Sequence, residues 1–233
     1  MEAYKKQWKH SWYMTTFAGR VYKKITRTIA SCYDRKIDKK ICGVSLEKYV
    51  PSVDGYENAT GSENARYWAL QEIFQDQHFT DDDKIIDVGC GKGRFFAFFE
   101  SIGFKGQLYG VELNPKVAEY TQNWAKRYDN ITVYSGDAFK LNYNDYTVIL
   151  LCRPFFEELY LKFIDKIQKE IDHPVKVLLY ADNYMVPPLR NDPRWTMEKR
   201  DILFKKGPLV YSYCPFRYSI WTFDPSKNNE VEQ

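Results

Sequence analysis

Residues 87–95 read DVGCGKGRF, with glycine at 89, 91 and 93 between an aspartate and a cationic-aromatic pair. Glycine weakens strands and helices alike, so three in alternation mark a place where the backbone must take unusual dihedrals or come close to something else. The flanks say which elements meet there. KIIDVG before the glycines has the continuous apolar character of a buried strand, and RFFAFFESI after them reads as a helix stopped by Gly103.

Working outward, the pattern repeats. GQLYGVEL is the next strand, and NPKVAEYTQNWAKRY a helix with Asn114 as N-cap and Pro115 at its first position. ITVYSGD and YTVILLC follow as strands, FFEELYLKFIDKIQKEI as a long helix, and VKVLLYAD as a fifth strand. Strands alternating with helices define a mostly parallel sheet. After it, NYMVPPLRNDPRW is too rich in proline for a long helix, and TMEKRDILFKK and FRYSIWTF read as two strands around the loop GPLVYSYCP. The expected fold class is α/β: a Rossmann-like doubly wound sheet, mostly parallel with a C-terminal antiparallel strand pair, plus a helical N-terminal extension. Residues 1–80 are expected to form a helical cap or lid, 81–225 the core, and 226–233 a flexible tail.

The ligand implied by the glycines can be narrowed by spacing. A dinucleotide site uses G-x-G-x-x-G, which counted from Gly89 requires glycine at position 94, where the chain has Arg94. That disfavours a nicotinamide dehydrogenase. The sulfonium donor S-adenosylmethionine instead calls for an acid near its ammonium, a second at its ribose and a third at its adenine amino group. Asp87, Glu112 at the tip of the second strand, and Asp137 past the third stand in those places, with Ala138 leaving room for the ring.

In that order, DVGCGKG, VELNP, SGDAF and VILLCRPF from about Lys84 to Asp182 resemble the motifs of the class I S-adenosylmethionine-dependent methyltransferases. The resemblance implies S-adenosylmethionine as cofactor, with Asp87, Gly89 and Gly91 at the methionine moiety, Glu112 at the ribose, Leu113 and Ala138 on the adenine faces, and Asp137 at its amino group. It also implies that the backbone at Cys152 lies beside the sulfonium. Cys90 counts among these positions as a small buried filler, because nothing nearby offers its thiol a base. The fourth motif departs from the amine-directed pattern: Arg153 stands before Pro154 and Phe155 where an amide is usual. A guanidinium accepts no hydrogen bond and is suited to a carboxylate or phosphate of the substrate.

Methyl transfer needs little beyond proximity when the acceptor is already unprotonated. The candidate acceptor residues are Tyr56 and Thr60 in the loop SVDGYENATG, Arg153, Phe155 and Phe156, and Tyr184. Asp182 and Tyr56 are the candidate catalytic groups. A small molecule enclosed under the N-terminal cap is the expected acceptor; a protein lysine is an alternative, RNA is unlikely, and an inactive cofactor-binding scaffold is the non-catalytic reading.

Five scattered cysteines, Cys32, Cys42, Cys90, Cys152 and Cys214, with three histidines, give neither a zinc spacing nor a disulfide framework, so no metal and a cytoplasmic setting are expected. The net charge of +3 is too small to argue for a nucleic-acid partner by itself, but residues 1–40 hold eleven Lys or Arg against three Asp or Glu. There Phe17, Val21, Ile25 and Ile29 recur every fourth position beside Arg20, Lys23, Lys24 and Arg27, predicting an amphipathic helix that serves as a cap with a solvated basic face or lies on an anionic membrane or on nucleic acid. No run has the length of a membrane span.

Overall fold

The computed structural model of the protein describes residues 16–53, 61–182, 185–206 and 211–230. Five parallel strands, β1 (Lys84–Val88), β2 (Gln107–Glu112), β3 (Ile131–Ser135), β4 (Val148–Leu151) and β5 (Val175–Tyr180), are followed by β6 (Trp195–Lys206) and β7 (Tyr211–Phe223). They form one sheet in the order β3-β2-β1-β4-β5-β7-β6, with β7 antiparallel to both β5 and β6. The order reverses at β1, where β2 and β4 pair on either side, and that switch point is where doubly wound sheets bind ligands.

Both faces of the sheet are covered. α2 (Tyr67–Phe74), α3 (Arg94–Ser101) and α4 (Pro115–Ala125) lie on one side, where Trp68, Phe96, Phe99 and Trp124 join Ile85, Leu150 and Ile220 of the strands. α5 (Glu157–Glu170) and α6 (Val186–Arg190) cover the other, where Phe163 and Ile167 pack with Ile86, Ile149 and Val177. Adjacent strand residues thus serve opposite cores, which explains why the central strands read as unbroken apolar runs. The expected α/β architecture, the Asn114 cap donated to by the Lys116 N–H at 3.1 Å, and the short Pro-rich α6 are all present.

Four details differ from expectation. Most of GPLVYSYCP belongs to β7, which starts at Tyr211. The stretch SENARYWALQEIF predicts a helix with Ser62 as N-cap; instead Arg66 occupies the N-cap position of α2, and Ser62 pairs with Val50 in an isolated bridge. A 3₁₀ helix, Pro225–Glu230, runs from the end of the core into the tail expected over residues 226–233.

The fourth concerns the N-terminal helix, α1 (Phe17–Ile41), capped by Thr16, whose side chain accepts from the Gly19 N–H at 2.9 Å. It packs on α3 and reaches β7. Its buried residues are Thr26, Ala30, Asp34 and Asp38, while the apolar series faces outward: Phe17 is 76% exposed, Val21 43%, Ile25 52%, Ile29 40% and Tyr33 57%. Charge explains the inversion. Arg94, 3% exposed at the start of α3, donates to Asp38 at 2.7 Å, to Asp34 at 3.3 Å and to the Ala65 carbonyl at 3.2 Å. Arg66 adds a 2.8 Å bond to Asp34, and the Tyr67 hydroxyl one of 2.8 Å to Asp38. A buried guanidinium without partners would cost several kcal/mol, so the face that carries its two carboxylates is the one that turns inward. Arg94, a cation that at a helix start would ordinarily be solvated, is the pin between α1 and the core.

Candidate functional site

The glycine turn is built as its sequence demands. Gly89, Gly91 and Gly93 have φ of +76°, +53° and +81°, the left-handed region that other residues enter at a cost. Their neighbours leave no room for a side chain either: a Cβ on Gly89 would sit 2.7 Å from Pro154, and one on Gly91 2.6 Å from the Ser62 hydroxyl. The turn is held from several sides. The Gly89 and Cys90 N–H groups donate to the Val111 carbonyl at 2.9 and 3.1 Å. Thr121 donates to the Gly91 carbonyl at 2.7 Å, and the Trp124 indole to that of Lys92 at 3.0 Å.

Around this turn the carboxyl ends of β1, β2, β3 and β4 open into one cleft. All nine residues expected at the cofactor, Asp87, Gly89, Cys90, Gly91, Glu112, Leu113, Asp137, Ala138 and Cys152, stand in its wall, as does Phe155. Glu112 spans the cradle: one carboxylate oxygen accepts from the Gly91 N–H at 2.9 Å and the other from the Asn114 N–H at 2.8 Å. Asp137 accepts from the Phe139 N–H at 2.9 Å, capping a 3₁₀ turn (Ala138–Lys140). Asp87 is buried, and one of its oxygens has no hydrogen-bond partner. Burial, reinforced by the charge of Glu112, pushes its carboxyl up to about 8. Burial raises Glu112 as well, against the backbone N–H groups that lower it. Two crowded acids with spare lone pairs, facing glycine amides, suit a ligand that brings a cation and hydroxyl donors. The Cys90 thiol is driven well above its ordinary range by burial, as befits a filler.

The acceptor side is less uniform. Asp182 is fully buried and absent from the cleft wall; Arg200 grips it with Nε at 2.9 Å and a terminal nitrogen at 3.3 Å. Asp182, the expected general base, is therefore an ion-pair partner with its oxygens directed to β6. Arg153 and Phe156 also fall outside the wall; Phe156 is exposed at the N-terminus of α5, and Phe155 stacks into the core against Phe139 and Phe163. Tyr56, Thr60 and Tyr184 lie outside the described residues. Among the described residues two that are not glycine, Arg153 and Ala181, have positive φ of 48° and 60°, at the ends of β4 and β5. Strain of roughly 1–3 kcal/mol at each is held where the two strands reach the crevice.

Ser62 was not foreseen. It lies over Gly91 in the cleft wall with its hydroxyl buried and without a partner, and Pro51, Val53, Asn64 and Ala65 complete that side. Its reading as an N-cap gives no sign of this place, because the neighbour it covers is 29 positions away. Among the described residues no three His, Cys, Asp or Glu converge as a metal site, and no helix is long and apolar enough to cross a membrane.

Comparison with known proteins agrees with this geometry. Residues 79–179 match the family model described as a methyltransferase domain. The rRNA adenine N-6-methyltransferase of Limosilactobacillus reuteri is 30% identical over 74 residues, 32% of this chain and 30% of that protein. The demethylmenaquinone methyltransferase of Staphylococcus haemolyticus is 26% identical over 93 residues, 40% of this chain and 38% of that protein. The match therefore spans well under half of either relative. The crystal structure of an RNA methyltransferase from Salinibacter ruber with S-adenosyl-L-homocysteine superposes with a TM-score of 0.52 at 16% identity, covering 69% of this chain and 94% of that one, a likeness of fold. The segment that carries the glycine turn and the parallel strands is a class I S-adenosylmethionine-dependent methyltransferase domain.

Proposed function

We propose that the chain transfers a methyl group from S-adenosylmethionine to a small molecule received in the cleft at the carboxyl ends of β1 and β4. The observation that carries the cofactor reading is the pairing of unpartnered, buried Asp87 with the Glu112 carboxylate across three left-handed glycines. The donor, when bound, supplies a methyl group on a positively charged sulfur. Asp87 would take its ammonium, Glu112 its ribose hydroxyls and Asp137 its adenine amino group, while Ala138 and Leu113 would flank the ring. The chain's own contribution to rate is then orientation and exclusion of water, with no acid or base needed for an unprotonated acceptor.

The small-molecule reading is supported by the roof: residues 51–53 and 61–65 lie against the glycine cradle and narrow its mouth. Similarity to a demethylmenaquinone methyltransferase is consistent with it, whereas the rRNA adenine N-6-methyltransferase relative keeps RNA as the second reading. Among the described residues Cys32, Cys42, Cys90 and Cys152 form no disulfide, in keeping with the cytoplasmic setting expected.

The first test is calorimetric titration with S-adenosylhomocysteine and, separately, NADH. Binding of the former alone is expected; binding of neither overturns the donor assignment. The acceptor is then sought by incubating the protein with methyl-labelled donor and either a small-molecule extract or total RNA. Label recovered in RNA would replace the small-molecule reading.

A further inference from the structure

We propose that the outer face of α1 is an attachment surface for anionic phospholipid bilayers. Two independent features of the helix point there. The first is the apolar stripe: Phe17, Val21, Ile25, Ile29 and Tyr33, at every fourth position, are all exposed on one helix. Isolated exposed apolar residues are ordinary on a soluble protein, but a contiguous row marks a surface that meets something apolar.

The second is charge. The only acids of α1, Asp34 and Asp38, are fully buried and spent on Arg66 and Arg94. The helix thus shows water Arg20, Lys24, Arg27, Arg35, Lys36, Lys39 and Lys40, with no exposed carboxylate of its own. Beside the stripe, Arg20, Lys24, Arg27, Arg35 and Arg66 line a shallow groove in which Glu47 is the one acid among the described residues. An aliphatic row next to a cationic groove fits an interface where acyl chains and phosphate headgroups lie side by side. A second copy of the chain fits poorly, since a two-fold pairing of this face sets cations against cations. RNA would use the cations and leave Val21, Ile25 and Ile29 in water, because those side chains offer no ring for a base to stack on.

Vesicle flotation tests the assignment with the full chain. The probes are vesicles of phosphatidylcholine alone and of equal parts phosphatidylcholine and phosphatidylglycerol. Partition onto the mixed vesicles should exceed that onto pure phosphatidylcholine by at least about tenfold and fall as salt is raised. The double variant Ile25→Glu/Ile29→Glu should lose about tenfold in partition, and Arg20→Glu/Lys24→Glu a comparable factor. Both pairs are exposed, so unchanged thermal unfolding and S-adenosylhomocysteine affinity are expected controls. Failure of the wild-type chain to float with anionic vesicles overturns the proposal, as does flotation that is unchanged in the Ile25→Glu/Ile29→Glu variant. A dimer in sedimentation velocity that dissociates in that variant would assign the stripe to self-association instead. Capture of single-stranded RNA without vesicle binding would assign the cations to nucleic acid.

Discussion

α1 and α3 pack against each other and are built on opposite plans. α3 follows the common rule: Phe95, Phe96, Phe98 and Phe99 are buried, and the helix is held by apolar contact. α1 buries Thr26, Ala30, Asp34 and Asp38 and leaves its large aliphatics in water. The pair teaches that amphipathicity tells how a helix is divided but not which half goes inside. The partner decides, and here the partner offers a guanidinium at Arg94 that must be neutralised.

Substitutions at matched depths can break this contrast. Phe99→Ala in α3 should cost about 3–5 kcal/mol in chemical denaturation by leaving a cavity. Asp38→Ala in α1 should cost a similar amount, about 3–5 kcal/mol, by stranding Arg94, although the side chain removed is small and polar. An effect within experimental error at Asp38 would mean that the charge network does not hold the helix.

The cleft offers the next test. Glu112→Ala should weaken S-adenosylhomocysteine by at least about 100-fold, near 2.7 kcal/mol, while the chain stays folded. Normal affinity would remove the ribose assignment. Asp87 brings a pH dependence whose sign can be fixed. Its folded-state acidity is weakened, from an ordinary value of 3.8 to about 8. The folded chain therefore holds a proton that the unfolded chain has released. The stabilisation is complete below the ordinary range and is lost as pH rises through about 8. Asp87→Asn should accordingly melt higher than the wild-type chain at about pH 9 and equally at about pH 3, by roughly 2–4 °C per kcal/mol. Coincident curves at both pH values would contradict the burial of an ionised group there.

The smallest expected effect returns to α1. Ile25→Ser should change stability by no more than about 0.5 kcal/mol. A loss of several kcal/mol would show that the stripe is covered in solution and would reverse the contrast drawn between the two helices.

How much of this was legible in the sequence depends on the range of each contact. Asp87, Glu112, Asp137 and Cys152 were placed because a strand's end and its following turn fix them locally, and the alternation of strands and helices then brings those ends to one edge. Asp182 was also read at a strand end, yet the side chain that claims it, Arg200, comes from an antiparallel strand whose register no local pattern reveals. Ser62 over Gly91 and Asp38 on Arg94 join positions 29 and 56 apart. α1 shows the limit most clearly: its two faces were visible in the spacing, but their orientation is set by a residue in another helix.

The seam beneath α1 has a consequence for descent. α2 buries Tyr67, Trp68, Leu70, Ile73 and Phe74 in the same core as α3, so the sheet cannot part with it without exposing oil. Beneath α1 the core presents Arg94, Arg66 and Tyr67 with hydrogen bonds to give, a surface that water can also serve. Any helix carrying two acids four residues apart satisfies that surface, whatever its other face displays. The outer face of α1 can therefore change in sequence while the seam that holds the helix stays as it is.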